Sequence, residues 1–184
     1  YRLLNEFVRQ GISHATMEVS SEGIIGKRIE TIRFDYAIFT NLSHEHLNTH
    51  KTMDEYFAAK FQLFKHLKPH GAAIINQDDI YANRFRDIKK LITFSINKPS
   101  SFQAVNIEFT KNYLTFDIKT ENNIYQGFKL NKPETYNLLN ALPGIIIALK
   151  EGIPLSLIKK RLASTPIVPG RLEKIASVNK ADIY

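Results

Sequence analysis

Residues 37–60 read AIFTNLSHEHLNTHKTMDEYFAAK, and the fold of the chain can be worked outward from them. Ala37-Ile38-Phe39-Thr40 is a short apolar, β-prone run that predicts a buried strand. The chain then breaks into a polar loop carrying Asn41, Ser43, His44, Glu45, His46, Asn48 and His50. A helical pattern follows and delivers Lys60 from the small, apolar turn Phe57-Ala58-Ala59. Three of the six histidines fall within this loop, at the carboxyl end of the predicted strand. Open α/β sheets place their ligands at that end. The pattern is that of the working edge of an enzyme.

On either side the same alternation continues. Phe34–Thr40 is the strand and Thr52–Leu67 the clearest helix, with Met53, Tyr56, Phe57, Lys60, Phe61 and Phe64 on or near one stripe. Ala72–Asn76 and Leu91–Ser95 predict further strands, with Asp78-Asp79 capping a helix that runs to about Lys89. Upstream, Leu3, Leu4, Phe7 and Val8 recur at helical spacing before Gly11, and Ala15–Val19 reads as a short strand. Ser20-Ser21-Glu22-Gly23 turns into a brief segment ending near Lys27-Arg28. Downstream, Phe102–Phe109, Tyr113–Lys119 and Ile124–Leu130 are separated by short polar breaks, which predicts antiparallel hairpins. Helices are predicted at Thr135–Glu151 and Leu155–Ala163, then a rigid loop over Thr165–Arg171 and strands at Leu172–Ala176 and Ala181–Tyr184. The fold class is α/β: a mostly parallel sheet flanked by helices, with an added antiparallel hairpin region, in a single domain over residues 1–184.

Composition bounds the function. A hydrophobic content of 43% and a charged content of 23% are those of an ordinary globular domain. The formal charge of +7 is scattered, and Lys89-Lys90 and Lys159-Lys160-Arg161 are too short for a nucleic-acid tail. There is no cysteine, hence no disulfide framework or thiolate metal site. No apolar run approaches the roughly 20 residues of a membrane span. The reading is a cytoplasmic monomer without nucleic-acid or membrane partners. Tyr1 begins inside a helical pattern and Ala181–Tyr184 opens a strand, so a fragment of a longer protein is expected.

Individual candidates each carry two readings. Glu18, at the end of an apolar run, can hold Mg²⁺ beside phosphates or be satisfied by neighbouring N–H groups. His44, His46 and His50 can ligate a metal or be exposed loop histidines, and zinc lacks a third identified ligand. Lys60 is either a solvated helix lysine or, beside Ala58, Ala59 and Phe61, a desolvated and reactive amine. Asn137 and Asn140 lie three apart on one helix face and can read a nucleotide or cap the helix. Arg171, after Val168-Pro169-Gly170, suits phosphate recognition or is a surface arginine. No Walker A loop, GxSxG elbow or GxGxxG fingerprint is present.

Taken in order, Met17-Glu18-Val19-Ser20-Ser21, Phe39-Thr40-Asn41-Leu42-Ser43-x-x-His46-Leu47, Met53-x-x-Tyr56-Phe57-x-Ala59-Lys60, Tyr136-Asn137-x-x-Asn140 and Pro169-Gly170-Arg171-Leu172-Glu173 form one pattern. It resembles the central ATPase domain of the Mur ligases, most of all the members that add the third residue of the peptidoglycan stem peptide. The resemblance implies an ATP-dependent ligase joining meso-diaminopimelate or L-lysine to UDP-N-acetylmuramoyl-L-alanyl-D-glutamate through an acyl phosphate, with two Mg²⁺ ions. By position it implies that Glu18 and His46 hold Mg²⁺ and that Lys60 is carbamylated and becomes an oxygen ligand. It further implies that Asn137 and Asn140 contact adenosine, that Arg171 contacts the phosphates, and that Ser20 and Arg28 hold the UDP-sugar substrate. Lys60, His46 and Arg171 would then carry the catalysis.

Glu22, Gly26, His44-Glu45 and Glu134-Thr135 depart from the family pattern and bear on substrate contacts more than on ATP chemistry. The resemblance also places the phosphate-binding loop before Tyr1 and the amino-acid-selecting domain after Tyr184, so the 184 residues alone are expected to be inactive. Another Mur-type or folylpolyglutamate synthetase-like ligase and a non-catalytic nucleotide- or UDP-sugar-binding module are the alternatives.

Overall fold

The computed structural model describes residues 2–43, 50–131, 133–166, 176–178 and 181–183, the side chains of 177 and 181–183 excepted. Six strands form one sheet in sequential order: β1 (Phe34–Phe39), β2 (Leu67–Asn76), β3 (Leu91–Ser95), β4 (Phe102–Phe109), β5 (Leu114–Lys119) and β6 (Ile124–Leu130). β1 to β4 pair in parallel, whereas β4, β5 and β6 pair antiparallel, as the two short polar breaks predict. Two further short strands, β7 (Ala176–Val178) and β8 (Ala181–Ile183), make a separate hairpin. The predicted Leu172–Ala176 strand otherwise lies outside the described residues.

The central β2 is buried on both sides over residues 71–76, and its alternation divides the core. Ile74 joins an aliphatic cluster with Leu114, Phe116, Ile118 and Phe128. That face is covered by Leu138, Leu142, Ile145 and Ile146 of α4 (Thr135–Lys150) and Ile158 of α5 (Leu155–Ala163). Ala73 and Ile75 face the other way, into an aromatic cluster with Phe39, Phe57, Phe64 and Phe85. There α3 (Met53–Phe61) covers the sheet. The result is a three-layer sandwich with helices on both faces. β2 approaches β1 closely where the register shifts: a Cβ at Gly71 would sit 2.9 Å from the Phe34 carbonyl oxygen, so only glycine fits.

Two expectations are corrected. Residues 12–20, including the predicted strand Ala15–Val19, form no strand among the described residues. A strand exists only where a neighbour accepts its backbone groups, and no described strand pairs with this stretch, which leaves Met17 about half exposed. The helix predicted from Asp78-Asp79 to Lys89 is only a 3₁₀ turn at Ala82–Phe85. Asp78 is taken up by the backbone of Ile96–Lys98, and Asp79 by Leu42 and by a local turn to Tyr81, so neither starts a longer helix. The Thr52–Leu67 helix is real but stops at Phe61, tightening into a 3₁₀ turn over Gln62–His66. α1 (Arg2–Arg9) ends as predicted, with Gly11 at φ 71°.

Candidate functional site

The carboxyl ends of β1, β2 and β3 are tied together by side chains of the segment that leaves β2. The Asn76 amide donates to the Thr40 carbonyl at 2.8 Å, and its oxygen accepts from the Asp78 N–H at 3.0 Å. The Asp79 carboxylate accepts from the Leu42 N–H at 3.0 Å and from the Tyr81 N–H at 2.8 Å. The Asp78 carboxylate accepts backbone N–H groups of Ile96 at 2.7 Å and Lys98 at 3.1 Å, together with that of Asn97. Three loops are thereby held together at the sheet edge. Asn76, Asp78 and Asp79 were not site candidates in the sequence. Their signal was an amide and two carboxylates directly after a fully buried strand, where no core position needs them.

The same edge sends residues 40–43 toward the histidine loop. His44 and His46 lie outside the described residues, as does Arg171. His50 is described and buried, and its Nε2 pairs with the Ser21 hydroxyl at 2.9 Å. The expectation of an exposed loop histidine does not hold for it. α3 starts on a reciprocal cap: Thr52 Oγ1 accepts the Glu55 N–H at 3.1 Å, and Glu55 accepts the Lys51 N–H at 2.9 Å. Asp54 and Glu55 in the first turn complement the helix dipole. The helix buries Tyr56 and Phe57 and presents Lys60 one turn later, half-buried, with Nζ 5.1 Å from the Tyr56 ring centroid.

Ser20 caps α2 (Ser21–Ile25), accepting the Gly23 N–H at 3.1 Å, and is otherwise exposed, as are Arg28 and Glu18. Asn137 donates to the Glu134 carboxylate at 2.6 Å within the first turn of α4, while Asn140, one turn further, is exposed. Among the described residues no group of three or more His, Asp or Glu side chains is gathered to hold a metal ion. Of the expected metal donors, Glu18 and Lys60 are among the described residues and His46 is not.

The opposite, amino-terminal edge of the strands has a different character. There a cavity of about 400 Å³ is lined by Asp35, Tyr36, His70, Lys90, Lys150 and Glu151. The Tyr36 hydroxyl donates to the Glu151 carboxylate at 2.6 Å, which with burial pushes the phenol up to about 12. Lys68, at 2.8 Å, holds the Asp35 carboxyl below its ordinary range, with His70 adding to the effect.

A three-layer α/β domain with polar loops gathered at the carboxyl ends of parallel strands belongs to the class that binds ligands at that edge. Within that class, the Mur ligase middle domain model matches residues 1–148, and this chain belongs to that family. It is 36% identical over 190 residues to the UDP-N-acetylmuramyl-tripeptide synthetase 2 of Oceanobacillus iheyensis, covering 99% of this chain and 38% of that protein. It is 38% identical over 183 residues to the UDP-N-acetylmuramoyl-L-alanyl-D-glutamate--2,6-diaminopimelate ligase of Clostridium perfringens, covering 96% and 37%. A solved structure of a ligase of the latter name superposes with a TM-score of 0.79 at 25% identity, over 95% of this chain and 37% of that one. The MurF ligase of Thermotoga maritima, solved in complex with ADP, shares the fold with a TM-score of 0.69 at 18% identity, covering 84% of this chain and 36% of that one. The chain thus spans under two fifths of the length of these relatives.

Proposed function

We propose that these residues are the central, ATP-handling part of a cytoplasmic ligase that adds a diamino acid to UDP-N-acetylmuramoyl-L-alanyl-D-glutamate in peptidoglycan synthesis. The observation that carries this is the 36–38% identity, over nearly the whole chain, to proteins named for that step. In such a reaction the terminal carboxylate of the nucleotide-linked dipeptide is activated by ATP as an acyl phosphate, which the amine then attacks with loss of phosphate. Mg²⁺, when bound, offsets the negative charge gathered among phosphates and carboxylate.

The residues present fit that chemistry. Glu18 is exposed and makes no hydrogen bond or ion pair among the described residues, so its carboxylate is available to a hard cation. Lys60 is half-buried, with no carboxylate partner among the described residues. Once Nζ has given up a proton it can add to CO₂: the N–C bond forms, one C=O electron pair moves onto oxygen, and a further proton leaves nitrogen for solvent. The product is an anionic oxygen donor where a cation stood. Asn140, exposed on α4 one turn after the Asn137–Glu134 pair, is free to meet the adenosine, and Arg171 the phosphates. Ser20 and Arg28, exposed at the two ends of the α2 segment, would hold the UDP-sugar substrate. No helix among the described residues is long and apolar enough to cross a membrane.

The test is the full-length protein supplied with ATP, Mg²⁺ and the UDP-dipeptide, with meso-diaminopimelate and L-lysine offered separately. The expected result is a tripeptide product of the corresponding mass with one of the two, and phosphate release. No product with either amino acid would overturn the proposal.

A further inference from the structure

The buried polar residues of the described structure are Ser21, His50, Asn76 and Ser95. Asn76 ties the strand ends together, and Ser95 bonds the loop that follows it, through the Lys98 carbonyl and the Ser100 hydroxyl. Ser21 and His50 serve neither purpose. His50 is 4% exposed and Ser21 3%, and each satisfies the other across 29 residues of sequence. The imidazole lies on the Tyr56 ring, with centroids 4.9 Å apart and planes inclined by 24°. Tyr56 is itself 4% exposed, and Lys60, four residues on and therefore on the same helical face, sets its Nζ over that ring. A continuous line of contacts runs from the first residue of α2, through two stacked rings, to the amine on which the proposed chemistry depends.

We propose that His50 is a positioning residue for Lys60: its bond to Ser21 fixes the plane of the imidazole, the imidazole fixes the Tyr56 ring, and that ring seats the Lys60 side chain. This rests on the reading that Lys60 is a working group. An apolar side chain would fill the same space without requiring a partner on α2. A hydrogen-bonded imidazole sets both the tilt of the stack and its distance from the Ser20–Ser21 turn. The substrate-holding turn and the amine are thus built on one rigid unit, and sub-ångström misplacement of a reacting group is costly in rate.

The test uses the full-length protein labelled at lysine Cε, with Lys60→Arg assigning the signal. An aromatic ring beneath the amine displaces the Lys60 Hε resonances upfield. The wild-type protein is expected to show that displacement, Tyr56→Leu to abolish it, and His50→Ala and Ser21→Ala to reduce it. His50→Phe, which keeps a ring on Tyr56 but has no bond to Ser21, is expected to match Ser21→Ala. In turnover, His50→Ala is expected to lower kcat about tenfold with KM for the UDP-dipeptide changed less than about twofold, and His50→Phe to recover only the part of the loss that a ring without the Ser21 bond can supply. Should His50→Ala fail to fold, Ser21→Ala and His50→Phe carry the same comparison. A wild-type Hε displacement and kcat in His50→Ala would overturn the proposal, as would a proportional change in kcat and KM. Full activity in Lys60→Ala would instead sink the reading of Lys60 itself, whatever the resonances show.

Discussion

The two faces of the sheet are built from different materials. Under α4 and α5 the core is largely aliphatic, with Leu138, Leu142, Ile145 and Ile146 against Ile74, Leu114 and Ile118. Under α3 it is a cluster of rings: Phe39, Phe57, Phe61, Phe64 and Phe85, with centroids between 4.8 and 6.4 Å apart in tilted and edge-on pairs. Branched aliphatic side chains interlock and resist displacement but direct nothing. Aromatic rings carry orientation, and their edges and faces also engage cations: Arg84, ion-paired to Asp54 at 2.6 Å, lies 4.0 Å from the Phe57 centroid. Lys60 meets Tyr56 on the same helix. The α4–α5 face is held mainly by aliphatic packing, and the α3 face sets rings beneath Lys60 and Arg84.

The sharpest test of that division is Lys60→Ala in the full-length protein. It is expected to lower kcat by at least about a thousandfold, as loss of a group acting in the transition state does, while the thermal midpoint stays near wild type. Retained activity would dissolve the distinction between the faces. Next come Phe85→Ala and Leu142→Ala, one from each cluster, each expected to cost about 3–5 kcal/mol in denaturant unfolding. At temperatures where both remain folded, Phe85→Ala should also lower activity and Leu142→Ala should not. Equal effects on activity would break the comparison. Asp78→Ala leaves three backbone N–H groups without their acceptor and is expected to cost about 1–3 kcal/mol. Faster amide exchange confined to Ile96–Lys98 would locate the loss.

The smallest effect belongs to the amino-terminal edge. The Tyr36 phenol is pushed up from its ordinary value to about 12 by its bond to Glu151, so the folded state binds that proton more tightly than the unfolded chain. Its contribution is fully present below about pH 10 and is lost as pH rises through 12. Tyr36→Phe is therefore expected to cost about 1 kcal/mol at neutral pH and to flatten the alkaline fall in stability, with no change in ligase activity. An unaltered alkaline limb in a pH series of unfolding curves would count against the assignment.

The elements were legible where periodicity and punctuation agreed. The strands β4 to β6 follow from strand-like runs broken by Lys111-Asn112 and Glu121-Asn122-Asn123, and Leu155–Ala163 is a helix as predicted. Asp78-Asp79 misled because an acidic pair ahead of a mixed segment is also a helix start, and only the neighbouring loops reveal which N–H groups it serves. Ala15–Val19 reads as a strand by composition, but pairing is a property of two segments and cannot be read from one. Lys60 stood out through its small neighbours. His50 is not distinguished in the sequence from the other two loop histidines, since nothing local separates an exposed imidazole from one that finds Ser21 across 29 positions.

The junction between the two halves of the sheet bears on how the domain moves. β4 pairs in parallel with only the last two residues of β3, Phe94 with Phe102 and Ser95 with Gln103. So brief an overlap lets residues 96–101 make a parallel connection that ordinarily needs a dozen residues or more. The turn is held by Thr93 and Ser101, whose hydroxyls take each other's backbone N–H groups at 3.3 and 2.9 Å. Mechanically this is a narrow seam between two plates. Backbone pairing joins the two plates only there, so the shared core under α4, where Ile74 and Phe94 meet Phe116 and Phe128, carries the rest of the coupling between them.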